Sequence, residues 1–142
     1  MRNLLKEFDG FPTVVKFRHA EWIKGSVFEG LDKHGTGIVF CDMPQLKNLP
    51  DGGAGERRTP FIGTSAYIRL HGRNAGAWYC HDDSPNGFSR YDYEYSDAEL
   101  NEFVPVIKAA IVEVKRPQVF FNNHPKGNGT KNAIQLAEMI NP

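Results

Sequence analysis

The sequence has little cysteine, no net charge and no long hydrophobic run. Cys41 and Cys80 are the two cysteines, too few for a disulfide framework and too far apart for a CxxC pair, so we expect reduced thiols. The 17 Lys and Arg residues balance 17 Asp and Glu residues. This balance argues against a polybasic nucleic-acid or membrane-surface protein, although a local basic cluster can still bind phosphate.

Membrane insertion and secretion are also not indicated. No apolar stretch approaches the ~20 residues needed to cross a bilayer. The segment from Met1 to Phe11 lacks the pattern of a signal peptide. We therefore expect a soluble, cytoplasmic protein, and at 142 residues we expect a single domain over residues 1–142.

What is present is a series of β-rich runs that alternate with helical patterns. The predicted strands cover residues 13–19, 37–42, 65–71 and 118–123. Residues 46–62 are rich in Pro and Gly and predict a long irregular connection, in which the usual helix is missing or vestigial. A last helix is predicted over residues 130–140. Strands that alternate with helices are typical of a parallel α/β sheet.

Two capping boxes predict the starts of the other helices. Ser26 and Glu29 have this spacing before a short helix, and Ser96 and Glu99 have it before the longest apolar helical pattern of the chain. Pro105 lies inside the second pattern and removes one backbone donor. We therefore expect a kink there, or a helix that begins later.

Polar residues stand at the carboxyl-terminal end of every predicted strand. They are Arg18 and His19, then Asp42, then Arg69 and His71, then Asn122 and Asn123. In parallel α/β folds, ligands bind at this end of the strands. The strand ends are therefore the predicted site.

Four runs of the sequence resemble the DUF72 (YecE-like) family. They are VKFRH at residues 15–19 followed by Trp22, YIRLHGR at 67–73, YDYEYS at 91–96 and FFNNH at 120–124. The resemblance covers residues 4–139 and implies a TIM-type (β/α) barrel. The matching runs belong to the second half of that family's domain, and a complete barrel takes ~250 residues. The predicted fold class is therefore a partial TIM-type barrel, the C-terminal half, with four parallel strands and helices on the outer face.

One position departs from the family pattern. The family usually carries Glu where this chain has Lys16. Residues 16 and 18 lie on the same side of a strand because side chains alternate. A Glu–Arg pair is thus replaced by Lys16 and Arg18, which repel each other.

The strand-end residues predict a site for an anionic or phosphorylated ligand, because the planar fork of an Arg side chain suits phosphate and carboxylate. The predicted ligand-binding side chains are Arg18, His19, Arg69, Arg73, Tyr93, Asn122, Asn123 and Lys126. The loop over residues 122–130 also precedes a helix N-terminus, which favours anions. Each feature also has a structural alternative. The charged side chains could link neighbouring strands inside the barrel, and the loop over residues 122–130 could be a solvated connection. The segment around Tyr93 could cover the mouth of the barrel.

Proton transfer is assigned to His71, whose charge responds near neutral pH, with Asp42 as the residue that orients it. Cys41 alternates away from Asp42 and is expected to face the helices. The residues identify no cofactor, and they leave open whether the protein is an enzyme.

Two other functions stay open. A metal-dependent hydrolase or isomerase for phosphorylated sugar or nucleic acid would need a metal held by His19, Asp42, His71 or His124. We expect hydrogen bonds rather than metal ligation at these residues, and we predict no metal site. A non-catalytic half-barrel would instead pair its open edges with a second copy or with a chain that supplies the N-terminal half.

Overall fold

The computed structural model describes residues 2–50, 63, 65–80, 89–114 and 117–141. The described helices are α1 (Arg2–Glu7), α2 (Gly25–Asp32), α3 (Asp97–Val114) and α4 (Asn128–Ile140). The described strands are β1 (Val14–Val15), β2 (Gly37–Asp42), β3 (Tyr67–Leu70) and β4 (Gln118–Phe121). Single 3₁₀ turns at Ala20–Trp22 and Pro125–Gly127 follow β1 and β4.

The four strands form one parallel sheet in chain order, β1-β2-β3-β4. This confirms the predicted half-barrel architecture of four parallel strands with helices. β2 has the predicted bounds, whereas the other three strands end before the polar residues that follow them. β1 pairs with β2 through Val14 and Val15 alone, so the predicted strand over residues 13–19 was too long.

Side chains alternate between two faces of the sheet. The helix-covered face carries Phe40, Ile68, Leu70, Val119 and Phe121, which pack against α3 and α4. We call the opposite side the open face. Its register places Val39 beside Tyr67 and Cys41 beside Arg69, and Arg69 is paired on its other side with Phe120. Tyr67 and Phe120 stack on this face with ring centroids 4.6 Å apart.

The two faces correct one prediction about cysteine. Cys41 was expected to face the helices, but its strand partner is Arg69 and its side chain interacts with Lys16. The alternation between Cys41 and Asp42 is as predicted. The face was assigned wrongly because Phe40, not Cys41, packs into the helix-covered core.

Helix starts were predicted with mixed success. The Ser96 backbone N–H donates to the Glu99 carboxylate at 2.9 Å, and the Glu99 N–H donates to Ser96 Oγ at 3.4 Å, which is the predicted capping box. α3 then runs through Pro105, so the expectation of a later start was wrong. The first box does not form, because α2 begins at Gly25 and its N-cap residue makes no side-chain capping bond.

The structure also tests the predictions for the first helix, the last helix and the connection after β2. α1 was not predicted, and Leu5 from it packs in a second core cluster with Phe17 and Ile38. α4 begins at Asn128, two residues before the predicted start at 130, directly after the Pro125–Gly127 turn. The irregular connection was predicted over residues 46–62. Its larger part, residues 51–62, lies outside the described residues. No helix in the described part of the chain is long and apolar enough to span a membrane.

Gly72 lies two residues after the end of β3, and its close approach to Tyr93 can be tested by substitution. It has φ +90°, and a Cβ there would lie 2.6 Å from Tyr93 Cβ. Gly72→Ala is therefore expected to lower the free energy of unfolding by about 2 kcal/mol, through backbone strain and overpacking. Urea denaturation followed by circular dichroism measures this change.

Gly30→Ala is the matched control, because Gly30 lies within α2 and its Cβ would meet no atom within 4 Å. It is expected to leave stability unchanged or to raise it by about 0.5–1 kcal/mol. Equal effects of the two substitutions would contradict the close approach of Gly72 and Tyr93.

Candidate functional site

The centre of the open face is a contact between two strand-end residues, Lys16 and His71. Lys16 directly follows β1, and His71 directly follows β3. Lys16 Nζ lies 2.6 Å from His71 Nε2. An ammonium or amine N–H donates here, so Nε2 accepts and the proton of the neutral ring sits on Nδ1. His71 Nδ1 is buried and has no hydrogen-bond partner within the described residues.

Burial and surrounding cations keep the His71 ring neutral. The residue is 5% exposed. Burial, followed by the positive charges of Lys16, Arg69, Arg18 and Arg90, lowers the pKa of His71 to about 3. At neutral pH this ring is uncharged, so its Nε2 accepts a hydrogen bond and its Nδ1–H can donate one.

The cations around His71 form a group that we call the basic cluster, which consists of Lys16, Arg18, Arg69 and Arg90. Arg69 Nε donates to Asn122 Oδ1 at 3.0 Å, so a neutral amide fixes the direction of this guanidinium. Arg18 is exposed and Arg90 is partly buried. Within the described residues, none of these four cations forms a salt bridge with a carboxylate.

Aromatic side chains surround the same histidine. The centroid of the Tyr91 ring lies 6.0 Å from that of His71, and the Tyr91 ring also lies 5.6 Å from the ring of His124. Trp78 approaches His71 edge-on at 6.3 Å. Arg90 lies 5.8 Å from the centre of the Tyr91 ring. These rings exclude water from one side of the basic cluster, which strengthens electrostatic interactions there.

Asp42 belongs to a different site on the helix-covered face. Both of its carboxylate oxygens accept from Arg73 Nε at 3.1 Å, and Oδ2 also accepts from Tyr95 Oη at 2.6 Å. Burial raises the pKa of Asp42, and the bonds from Arg73 and Tyr95 oppose that rise. The predicted role of Asp42 in orienting the His71 ring is therefore wrong, because only its backbone carbonyl contacts His71, through the His71 N–H at 3.0 Å.

Arg73 and Tyr93 were predicted to bind ligand, and the structure gives both of them other partners. Arg73 pairs with Glu102 at 2.8 Å and lies 3.6 Å from Glu99, in addition to Asp42. Tyr93 Oη donates to the Glu99 carboxylate, and burial together with this bond raises the pKa of Tyr93. Both side chains stabilise the packing of α3 and are not brought to the basic cluster.

The two asparagines after β4 take different positions. Asn122 orients Arg69, as described above. Asn123 is fully buried, and its Nδ2 donates to the Tyr93 carbonyl at 3.0 Å and to Asn132 Oδ1 at 2.9 Å. Asn123 therefore holds the loop against α4.

His19 and Lys126 lie at the edges of this region. His19 Nδ1 accepts from the Glu21 N–H at 3.3 Å and so caps the 3₁₀ turn after β1. Lys126 pairs with Asp92 at 2.8 Å, which neutralises the cation of the predicted anion-binding loop. Neither side chain is brought into contact with His71.

The candidate metal ligands of the described residues do not lie together. In the described ranges, no three His, Cys, Asp or Glu side chains are grouped so that they could hold one ion. The metal hypothesis also required Asp42 beside His71, and Asp42 instead pairs with Arg73 and Tyr95. The donor set that the sequence offered is thus divided between the two faces of the sheet.

Sequence reasoning missed Lys16 and Arg90 as members of the site. Lys16 was noted only as a departure from a family pattern, although its alternation with Arg18 placed it on the site side of the strand. Arg90 lies in a loop between β3 and α3, where no periodic pattern indicates which way a side chain points.

A sheet of four parallel strands with helices against one face, and polar side chains at the carboxyl ends of its strands, defines half of a parallel α/β barrel. The chain belongs to the DUF72 family. The family model described as "Protein of unknown function DUF72" matches residues 1–142. The family that the sequence runs resembled is thereby confirmed.

Known relatives agree with this assignment. The chain is 27% identical over 137 residues to the UPF0759 protein YunF of Bacillus subtilis (strain 168), covering 91% of this chain and 46% of that protein. A DUF72 family protein from Thermotoga maritima has 32% identity and a TM-score of 0.82, covering 99% of this chain and 50% of that one. A DUF72 family protein from Enterococcus faecalis, 22% identical, shares the fold with a TM-score of 0.78, covering 99% and 51%. This chain therefore spans about half the length of these relatives.

The neutral state of His71 predicts a pH dependence of stability. The unfolded ring titrates near pH 6.5 and the folded ring near pH 3. Between these values the unfolded chain binds more protons, so stability is lost as the pH falls through this window. We expect this residue to account for a loss of roughly 2 kcal/mol in the free energy of unfolding between pH 7 and pH 5.

Urea denaturation at the two pH values measures this loss. His71→Gln keeps an acceptor for Lys16 but cannot titrate, so its stability is expected to change less between pH 7 and pH 5. His34→Gln, at an exposed histidine, is the control and should behave as the wild type does. The same pH dependence in wild type and His71→Gln would contradict a neutral buried ring.

Proposed function

We propose that this chain binds a small anionic ligand, with a phosphate or carboxylate group, at the carboxyl ends of its strands on the open face. The basic cluster around the neutral His71 is the observation that carries the proposal. Lys16, Arg18, Arg69 and Arg90 all act on His71 as positive charges. An anion placed among them would relieve their mutual repulsion.

The geometry of Arg69 supports binding rather than a purely structural role. Arg69 Nε donates to Asn122 Oδ1 at 3.0 Å, and among the described residues the terminal nitrogens of the guanidinium have no hydrogen-bond partner and can contact a ligand. Arg forks of this kind match the oxygens of phosphate and carboxylate. A structural arginine in this protein is bound differently, since Arg73 contacts three carboxylates.

His71 is the proposed proton-transfer residue of the same site. It is buried next to the basic cluster, and its ring is neutral at physiological pH. Its Nδ1–H is buried and has no partner among the described residues, so a ligand oxygen that reached it would satisfy this donor. Since Asp42 lies on the other face, the ring is oriented by Lys16 and by the rings of Tyr91 and Trp78.

Inorganic phosphate is the probe that tests anion binding. At constant ionic strength, phosphate should raise the melting temperature of the wild-type chain, since a ligand at 100 times its Kd stabilises by about 2.7 kcal/mol. Arg69→Gln should weaken the phosphate Kd by about tenfold or more, the effect of losing one charge-assisted contact. Calorimetric titration gives the Kd directly.

Lys108→Gln is the matched control, because Lys108 is an exposed cation on α3, away from the strand ends. It should keep the phosphate affinity of the wild type. Equal loss in both variants, or no stabilisation by phosphate over chloride, would contradict the proposed site.

A second role, pairing with another half-barrel, is favoured by the outer edge of β4, which pairs with no other strand in the described part of the chain. The Gln118 N–H donates to the Ala66 carbonyl just before β3 at 2.9 Å, and the Asn122 N–H donates to the Leu70 carbonyl at 2.7 Å. The alternate N–H groups of a parallel strand point to its other edge. β4 is the last strand of the sheet, and Phe120 on its open face is 44% exposed. Relatives carry about as much chain again, so we infer that a second four-strand unit completes this edge.

Light scattering after size exclusion tests whether a second copy can act as that unit. We expect the wild-type chain to associate, and we expect Phe120→Glu to shift it towards monomer, because a charge on an open edge opposes strand pairing. Val112→Glu is the control, since Val112 is 83% exposed on α3. A wild-type monomer that unfolds cooperatively would show that this sheet needs no partner.

A further inference from the structure

Lys16 has an environment that is unusual for a lysine. Its side chain is partly buried, and Nζ contacts His71 Nε2 at 2.6 Å and interacts with the Cys41 side chain. The other charges that act on it are Arg69 and Arg18. Within the described residues, no carboxylate forms a salt bridge with Lys16, whereas Lys126 and Lys131 both have one.

This environment lowers the pKa of Lys16, so more of its side chain is the free amine than in an exposed lysine, while the protonated fraction still acts as a cation on His71. Burial lowers the pKa of Lys16 most, and the charges of Arg69 and Arg18 lower it further. Cys41 would oppose this as a thiolate, but burial raises the pKa of Cys41, so the thiol stays neutral at pH 7. His71 likewise offers an uncharged acceptor rather than an anion. A desolvated lysine next to other cations is an activated nucleophile.

We propose that Lys16 is a carbonyl-binding amine, and that its Nζ forms an imine with a small aldehyde or ketone that also carries a carboxylate or phosphate group. The anionic part of this inference rests on the proposed function. Arg69, fixed by Asn122, and Arg18 would hold the anionic group, and the Tyr91 and Trp78 rings would enclose the carbonyl carbon.

The reaction is a condensation and needs no oxidant or reductant. The Nζ lone pair forms a bond to the carbonyl carbon, and the carbonyl π electrons move to oxygen, which takes up a proton. The resulting carbinolamine loses its hydroxyl group as water and the remaining Nζ proton, and a C=N bond forms. The proton that the attacking nitrogen releases passes to the developing alkoxide oxygen, and His71 Nε2, at 2.6 Å from Nζ, accepts the hydrogen bond that orients the amine. The products are one imine and one water.

Reductive trapping tests this assignment. The intact chain is incubated at pH 7 with pyruvate and cyanoborohydride, and the modified lysines are mapped by peptide mass spectrometry. We expect Lys16 to be labelled several-fold faster than Lys33, because a lowered pKa leaves more free amine at pH 7. Lys33 is the internal reference, since it is exposed at the end of α2.

Two variants test whether the fast label is on Lys16. Lys16→Arg keeps a positive charge and should remove the fast label while the melting temperature stays close to that of the wild type. Lys33→Arg should leave the fast label in place. If Lys16→Arg is unfolded, the labelling rates of Lys16 and Lys33 within the wild-type chain still decide the question.

Acetone, an uncharged ketone, separates this inference from the proposed anion site. Faster labelling of Lys16 by pyruvate than by acetone supports both. Equal labelling by the two ketones supports the reactive amine and contradicts selection for an anion. If neither ketone labels Lys16 faster than Lys33, the reactive amine is wrong, and the phosphate titration decides anion binding on its own.

Discussion

The buried carboxylate of Asp42, held between Arg73 and Tyr95, is the constraint on which the rest of the structure depends. It stands at the end of β2 and accepts three hydrogen bonds from residues that follow β3. Tyr95 Oη also accepts from the Gly72 N–H at 2.8 Å, which ties the turn after β3 to the start of α3. A buried carboxylate without these donors would be strongly destabilising, so the two strand ends and α3 have to be positioned together.

This arrangement also separates the charges of the protein. The sequence is neutral overall, but Asp42, Glu99 and Glu102 gather around Arg73 on the helix-covered face. Lys16 and Arg69 lie on the open face, where within the described residues no carboxylate pairs with them. A locally cationic surface therefore arises in a chain without net charge, because the sheet places acids and bases on opposite sides. The neutral His71 and the proposed reactive amine of Lys16 are both consequences of this separation.

Much of the fold could be predicted because it depends on local patterns. β2 has the predicted bounds, and the box of Ser96 and Glu99 starts α3 as expected. The first box failed although it has the same spacing, because Ser26 lies inside the first turn of α2 instead of before it. α1 was missed since its pattern is short, and Leu5 becomes buried only against Phe17 and Ile38, which are distant in the sequence. Family membership was also visible in the sequence runs.

The site was predictable only in part, for a single physical reason. Alternation along a strand determines which side chains share a face, so Lys16 with Arg18, and Cys41 apart from Asp42, followed from the sequence alone. Alternation does not determine which face the helices cover. That choice depends on the packing of Phe40, Ile68 and Leu70 against α3 and α4, and it placed Asp42 among the acids and Cys41 beside Lys16. The sequence by itself determined the alternation of strands with helices, the polar strand ends and the family. Only the tertiary structure decided which of those polar groups meet. Packing against the helices pairs Asp42 with Arg73 on one face of the sheet, and it leaves Lys16 and Arg69 together on the other face.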